Sequence, residues 1–256
     1  MKILLKIKYD GTDFCGYQVQ KNQRTVQGVL NEASKALLGV DCDITGCSRT
    51  DSGVHALAFF ATVVPKDGST VNIPFENLPR AYNSVLADDI SVAAAYVVND
   101  SFHPRYDVLD KEYTYLIYNS KLKDPFYRNR ALYYAREIDG EHLEKMNVAA
   151  AHLCGKHDFA SFMAEGGSVA DTVREIKYAK IQRQGDILEF KVCGNGFLYN
   201  MVRIIVGTLL DVAADKTQPC DIENIILSKN RALAGQTVAA HGLYLSNVTY
   251  PKGIID

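Results

Sequence analysis

Between Gly46 and Ala56 the chain runs Gly46-Cys47-Ser48-Arg49-Thr50-Asp51-Ser52-Gly53-Val54-His55-Ala56, a polar stretch bracketed by glycines and set between two strand-like segments. Such a run has two readings. In one it is a surface turn, with Asp51 as the turn former and Arg49 a solvated charge; in the other it is a shaped loop that offers a carboxylate and a guanidinium to a ligand. A carboxylate with an ordinary pKa of about 3.9 is ionised at neutral pH. Asp51 then has the chemistry of a nucleophile or of a base. The second candidate is Arg203, the only charged residue between Lys191 and Asp211, within Met201-Val202-Arg203-Ile204-Ile205-Val206. A guanidinium buried among aliphatics without a partner is costly, so it either takes an anion or runs its head to water along an apolar stem. Asp51 is the expected anion, through a charge-assisted bond that keeps the carboxylate ionised and oriented.

A third feature extends from Arg105 to Arg136. Seven basic residues (Arg105, Lys111, Lys121, Lys123, Arg128, Arg130 and Arg136) outnumber four acidic ones there, and eight aromatic rings lie between them. Cations interleaved with stackable rings suit single-stranded or looped RNA; a strand pair with tyrosines on a half-exposed face gives the same pattern. Arg49 and Arg105 are the side chains best suited to hold phosphates or an extruded nucleotide. Other chemistries lack their handles. There is no GxxxxGK[ST] phosphate loop, no GxGxxG and no GxSxG elbow. His152-x-Cys154-x-x-His157 is a conceivable metal cluster, but no second Cys/His group accompanies it in sequence.

The elements that must carry these residues follow from periodicity. Residues 2–9 alternate as a strand, and Thr25 is an N-cap candidate before Val26, Val29, Leu30, Ala33 and Leu37 on one helical face. Strands are predicted near 42–46, 57–64 and 89–98, with a helix near 75–85 carrying Pro79 close to its start. The polar turn 99–105 precedes a strand near 111–118 and a helix near 140–153. Strands near 172–183 and 186–194 follow, joined at Gly185-Asp186. A helix near 198–213 has the apolar stripe Val202, Ile205, Val206, Leu209, Leu210 and Ala213, and a strand near 243–249 closes the chain. This order is no regular βαβα alternation, so an α+β fold with a largely antiparallel sheet is expected.

Composition bounds the rest. The 256 residues bury a large core as one domain or two halves. With 28 Lys and Arg against 30 Asp and Glu, the net charge of −2 provides no general attraction to nucleic acid, so any RNA face is a local patch. The six scattered cysteines fit reduced thiols in a cytoplasm. The first residues alternate apolar and cationic too quickly for a signal peptide, and no run reaches membrane-spanning length. A soluble cytoplasmic protein is expected.

Six motifs occur in order: Tyr9-Asp10-Gly11-Thr12-x-Phe14-x-Gly16-Tyr17-Gln18-x-Gln20; Gly46 to His55; Phe102-His103-Pro104-Arg105; Lys111-x-Tyr113-x-Tyr115; His157-Asp158-Phe159-x-Ser161-Phe162; and Asn195-Gly196-Phe197-x-x-x-Met201-Val202-Arg203. Together they resemble the tRNA pseudouridine synthase A family, from about Leu4 to Pro251. Tyr17 stands where that family commonly has Trp, and Cys47 and Ser52 where relatives often carry other small residues. The resemblance implies that Asp51 is the catalytic nucleophile, that Arg203 pairs with it, and that Tyr113 packs against the target base. It implies two related ferredoxin/RRM-like α+β halves sharing a continuous, mainly antiparallel sheet with a central active-site cleft. Residues 1–105 would carry the Asp51 loop and 106–256 would carry Tyr113 and Arg203. No cofactor or metal is implied. The implied partners are a second copy of the chain, in a homodimer, and the anticodon arm of tRNA, whose uridines 38, 39 and 40 become pseudouridine after base flipping.

Overall fold

In a computed structural model, which describes residues 2–167 and 169–255, the chain forms two compact units. One comprises Met1–Leu109 with Tyr244–Asp256, the other Asp110–Leu243. Within each the strands pair mainly antiparallel and helices complete the core, an α+β architecture.

The first unit runs β1 (Lys2–Tyr9), α1 (Val26–Leu38), β2 (Cys42–Gly46), β3 (His55–Pro65), α2 (Leu78–Asn83), β4 (Ile90–Val98), the β-α-β-β-α-β order of ferredoxin-like units. Strand β1 is central. Its Leu4, Leu5 and Ile7 are fully buried because β4 and β3 flank it, both antiparallel. Helix α1 starts where Thr25, in extended conformation, accepts the Gly28 N–H on its hydroxyl. The helix stops at Gly39, whose φ of 74° a side chain would resist. Strand β2 lies antiparallel on β3, and β10 (Leu243–Thr249) meets β3 in parallel, Tyr244 opposite His55.

Tyr17 stacks on Phe59 with ring centroids 4.6 Å apart. Its buried hydroxyl has no hydrogen-bond partner among the described residues. Burial, with the Cys47 thiol close by, pushes its pKa above the tyrosine range, so it stays protonated. Such a hydroxyl loses its water bonds for nothing. Tyr17→Phe is therefore expected to leave unfolding free energy unchanged or raise it by up to about 1 kcal/mol in urea denaturation; a clear loss would reveal a partner for the oxygen.

In the second unit β5 (Asp110–Asn119), α3 (Gly140–Ala151), β8 (Val173–Gln184), β9 (Ile187–Gly194) and α4 (Met201–Ala213) repeat the β-α-β-β-α order. Strand β9 pairs with both β5 and β8, and the Gly185-Asp186 turn closes the hairpin with Gln184 opposite Ile187. Two short strands complete the sheet: β6 (Leu132–Tyr134) parallel to β5, and β7 (Gly155–Asp158) antiparallel to β8. Helix α4 begins at Met201 rather than near 198, because Asn200 is left-handed at φ 59° and breaks the helical run. A further helix, α5 (Asp221–Ser228), buries Ile222, Ile225 and Ile226. Among the described residues no helix is long and apolar enough to cross a membrane.

Candidate active site

Asp51 lies half-buried in the loop that joins β2 to β3. The opening motif holds this loop. The Tyr17 N–H donates to the Thr50 carbonyl (3.1 Å), and the Gly53 N–H and Ser52 hydroxyl donate to the Phe14 carbonyl (3.3 and 3.2 Å). The hydroxyls of Tyr9 and Thr50 meet at 2.8 Å, while the Cys47 N–H donates to the Phe60 carbonyl at 2.8 Å. Two glycines let the backbones meet. A Cβ on Gly11 would stand 2.0 Å from the Val54 oxygen, and one on Gly16, where φ is +79°, 2.6 Å from the Thr50 oxygen.

His55, 1% exposed, follows the loop and stacks on Tyr244 at 4.6 Å. The Gly11 N–H and the Asp10 Oδ1 both lie 3.0 Å from its Nδ1, which serves only one of them at a time. Asp10 Oδ1 also takes the N–H and O–H of Thr12. A solvated turn needs none of these contacts. They fix the backbone that carries Asp51 from both sides.

In the second unit Tyr113 is 7% exposed and meets Phe197 edge-on, with centroids 5.1 Å apart. Arg203, half-buried near the start of α4, donates from Nε to the Val238 carbonyl and from Nη1 to Asn200 Oδ1, both 2.7 Å. These two bonds set the plane of its guanidinium. The acceptor Val238 belongs to a strap laid over α4. A Cβ on Gly207 would stand 1.9 Å from the Gln236 oxygen, the Gly235 N–H donates to Thr208 Oγ1 (2.9 Å), and the Tyr115 hydroxyl donates to the Ala239 carbonyl (2.7 Å). Sequence reasoning did not anticipate the strap. Its only local signal is the pair of small residues, Gly207 and Gly235, that let two backbones touch.

His241 also lies on the strap. Burial lowers its pKa below the ordinary histidine value, and the Arg203 charge acts the same way against an opposing hydrogen bond with Ala131. The unfolded chain therefore binds this proton more readily than the folded one. The resulting stability is present above about pH 6.5 and is lost as pH falls through that value towards the lowered folded-state pKa. His241→Gln should show a smaller drop in melting temperature than the parent between pH 7.5 and 5.5. Equal drops would assign the acid sensitivity to other groups.

The stretch from Arg105 to Arg136 divides. Tyr115 and Tyr118 are buried in β5 and Lys111 is only 9% exposed, so these three offer RNA no open surface; Tyr113, 7% exposed, lies in the same strand. Tyr106 and Phe126 are 75% and 88% exposed, as are most of the cations in lesser degree. Arg49 and Arg105 line one cleft of ≈ 200 Å³ in the first unit. His152 contacts Glu223 at 2.8 Å and His157 faces the Cys154 carbonyl at 2.9 Å, and among the described residues no side chains group as metal ligands.

The family model described as tRNA pseudouridine synthase matches residues 6–107 and 149–251. A protein of Acetivibrio thermocellus named tRNA pseudouridine synthase A is 42% identical over 248 residues, 97% of this chain and 99% of its own. One of the same name from Bacillus licheniformis is 45% identical over 252 residues, 98% of this chain and 99% of its own. A chain from a solved Cbf5–Nop10–Gar1 complex aligns with 95% of this chain and 58% of its own length, but at 10% identity and a TM-score of 0.35 it carries no argument. Matches over nearly the whole length show that the chain belongs to the tRNA pseudouridine synthase family.

Proposed function

We propose that the chain isomerises uridines 38, 39 and 40 of the tRNA anticodon stem-loop to pseudouridine, with Asp51 as the essential group and no cofactor. The observation that carries this reading is the Asp51 loop itself, held by hydrogen bonds from Tyr17, Ser52 and Gly53. Isomerisation breaks N1–C1′, turns the uracil, joins C5 to C1′ and removes the C5 proton, so nothing is oxidised or hydrolysed overall. An ionised carboxylate serves by attacking the sugar or the base, or by taking a proton on a glycal-like route. Arg203 is assigned to Asp51 as its partner, because a guanidinium whose plane is already set favours the ionised carboxylate and aims it. Reaching a stacked uridine requires flipping it into a pocket, where Tyr113 takes the base face and Arg49 and Arg105 hold phosphates. A cytoplasmic homodimer with tRNA across both subunits is the assembly that goes with this family.

Mapping tests the proposal: anticodon stem-loops are incubated with the protein, treated with carbodiimide and read by primer extension. Stops are expected only where 38, 39 or 40 is uridine. Stops elsewhere would overturn the positional assignment, and free uracil without stops would make the protein a glycosidase.

A further inference from the structure

The cleft that contains Arg49 and Arg105 has features that holding phosphate does not require. Beside Tyr17, Gln18 and Gln27, it brings together Ser48 and Arg49 after β2 with His103, Arg105 and Tyr106 after β4. The second segment is braced by hydrogen bonds. The His103 N–H donates to Asp107 Oδ2 (2.8 Å), His103 Nδ1 accepts from the N–H groups of Arg105 and Tyr106 (3.1 and 3.3 Å), and the Pro104 carbonyl takes the buried Tyr250 hydroxyl at 2.6 Å. On this frame the Tyr106 ring stacks against His103 at 4.2 Å and 30°, yet the residue remains 75% exposed. His103 covers part of the ring, and the Arg105 guanidinium lies over it at 6.0 Å from the centre, which still leaves the residue largely open.

A fixed, exposed aromatic face beside two guanidinium groups matches one nucleotide: a base stacks on the ring and a phosphodiester takes the cations. At ≈ 200 Å³ the cleft is smaller than the roughly 300–1,000 Å³ of sites that enclose a small ligand, and the tRNA substrate of the proposed reaction supplies its nucleotides as part of a strand. Arg49 is two residues from Asp51, and two residues of extended chain span at most about 7 Å, so that nucleotide is a near neighbour of the one being modified. We infer that this cleft is a subsite for an unpaired nucleotide flanking the target uridine, with its base on Tyr106 and its phosphate between Arg49 and Arg105. The inference rests on the synthase reading for the identity of the strand.

The test uses an anticodon stem-loop carrying 2-aminopurine, placed in turn at each loop nucleotide near position 38. Binding should change the fluorescence at one of these positions with the parent protein and with Tyr106→Phe, and leave it unchanged with Tyr106→Ala. In steady-state assays Tyr106→Ala should raise KM about tenfold, as loss of one base stack does, with kcat within about twofold; Tyr106→Phe should restore KM. Identical fluorescence and KM in the parent and Tyr106→Ala would overturn the subsite. Because fluorescence needs no turnover, a Tyr106-dependent signal from a protein that makes no pseudouridine would keep the subsite and sink the synthase reading instead.

Discussion

Asp51→Ala is expected to lower pseudouridine formation by at least about 10⁴-fold, the scale on which removing a group central to the chemistry acts, while tRNA affinity stays within about tenfold. The two effects separate because affinity comes mainly from phosphate contacts spread over many cations, whereas the isomerisation has one proposed carboxylate at its centre. The fold should survive the change. Backbone and side-chain bonds from Tyr17, Ser52, Gly53 and Cys47 hold the loop, and Asp51 contributes its carbonyl to the Val54 N–H, which alanine retains. Single-turnover assays on a stem-loop, filter binding and a thermal melt measure the three quantities. Substantial turnover in Asp51→Ala would remove that residue from the chemistry, and an unfolded variant would show that its role is structural.

Arg203→Ala should lose both activity and stability. Truncation leaves the Val238 carbonyl and Asn200 Oδ1 without their donors, a cost of about 1–3 kcal/mol for partly buried acceptors. It also removes the charge proposed to orient Asp51, and a reacting group displaced by about 1 Å can lose roughly 10²-fold in rate. Arg203→Lys separates these roles. An ammonium keeps the charge but lacks the planar fork that spans two acceptors and a carboxylate, so Lys should recover part of the stability and little of the activity. The readouts are urea midpoints and kcat. An Arg203→Ala variant with parental kcat would show that the proposed pair with Asp51 does not exist.

Local patterns account for much of this fold. Alternation in Lys2–Tyr9, the Thr25 cap, the Gly185-Asp186 turn and the apolar stripe of α4 each depend on near neighbours, and the strands and helices they predict are present. The failures are also local in origin. Strands β6 and β7 have three and four residues, too few to display a period. Helix α5 had a legible signal in Ile222, Ile225 and Ile226, spaced i, i+3, i+4, but its eight residues sit among polar neighbours. In β5, Tyr115 and Tyr118, which the sequence offers as part of a stacking surface, are strand residues packed inwards.

The construction of the candidate site lies in long-range contacts that the sequence does not display. In sequence the run from Gly46 to Ala56 is compatible with a surface turn; in the structure Gly11 lies against Val54 and Phe14 against Ser52 and Gly53, contacts between residues 38 to 43 positions apart that no periodicity encodes. For Arg203 the need for a partner followed from burial of charge, but the Val238 carbonyl and the strap that presents it did not. Pairings such as Tyr244 opposite His55, which tie residues 244–256 to the first unit, are likewise long-range.

The central claim is tested most directly by incubating the unmodified protein with tRNA transcripts carrying C5-tritiated uridine, with chelator present, while counting tritium released to water and free uracil in parallel. The account predicts tritium release that ignores the chelator, matched by pseudouridine in the digested RNA and with no free uracil. Free uracil, or no tritium release from transcripts that the protein binds, would contradict it.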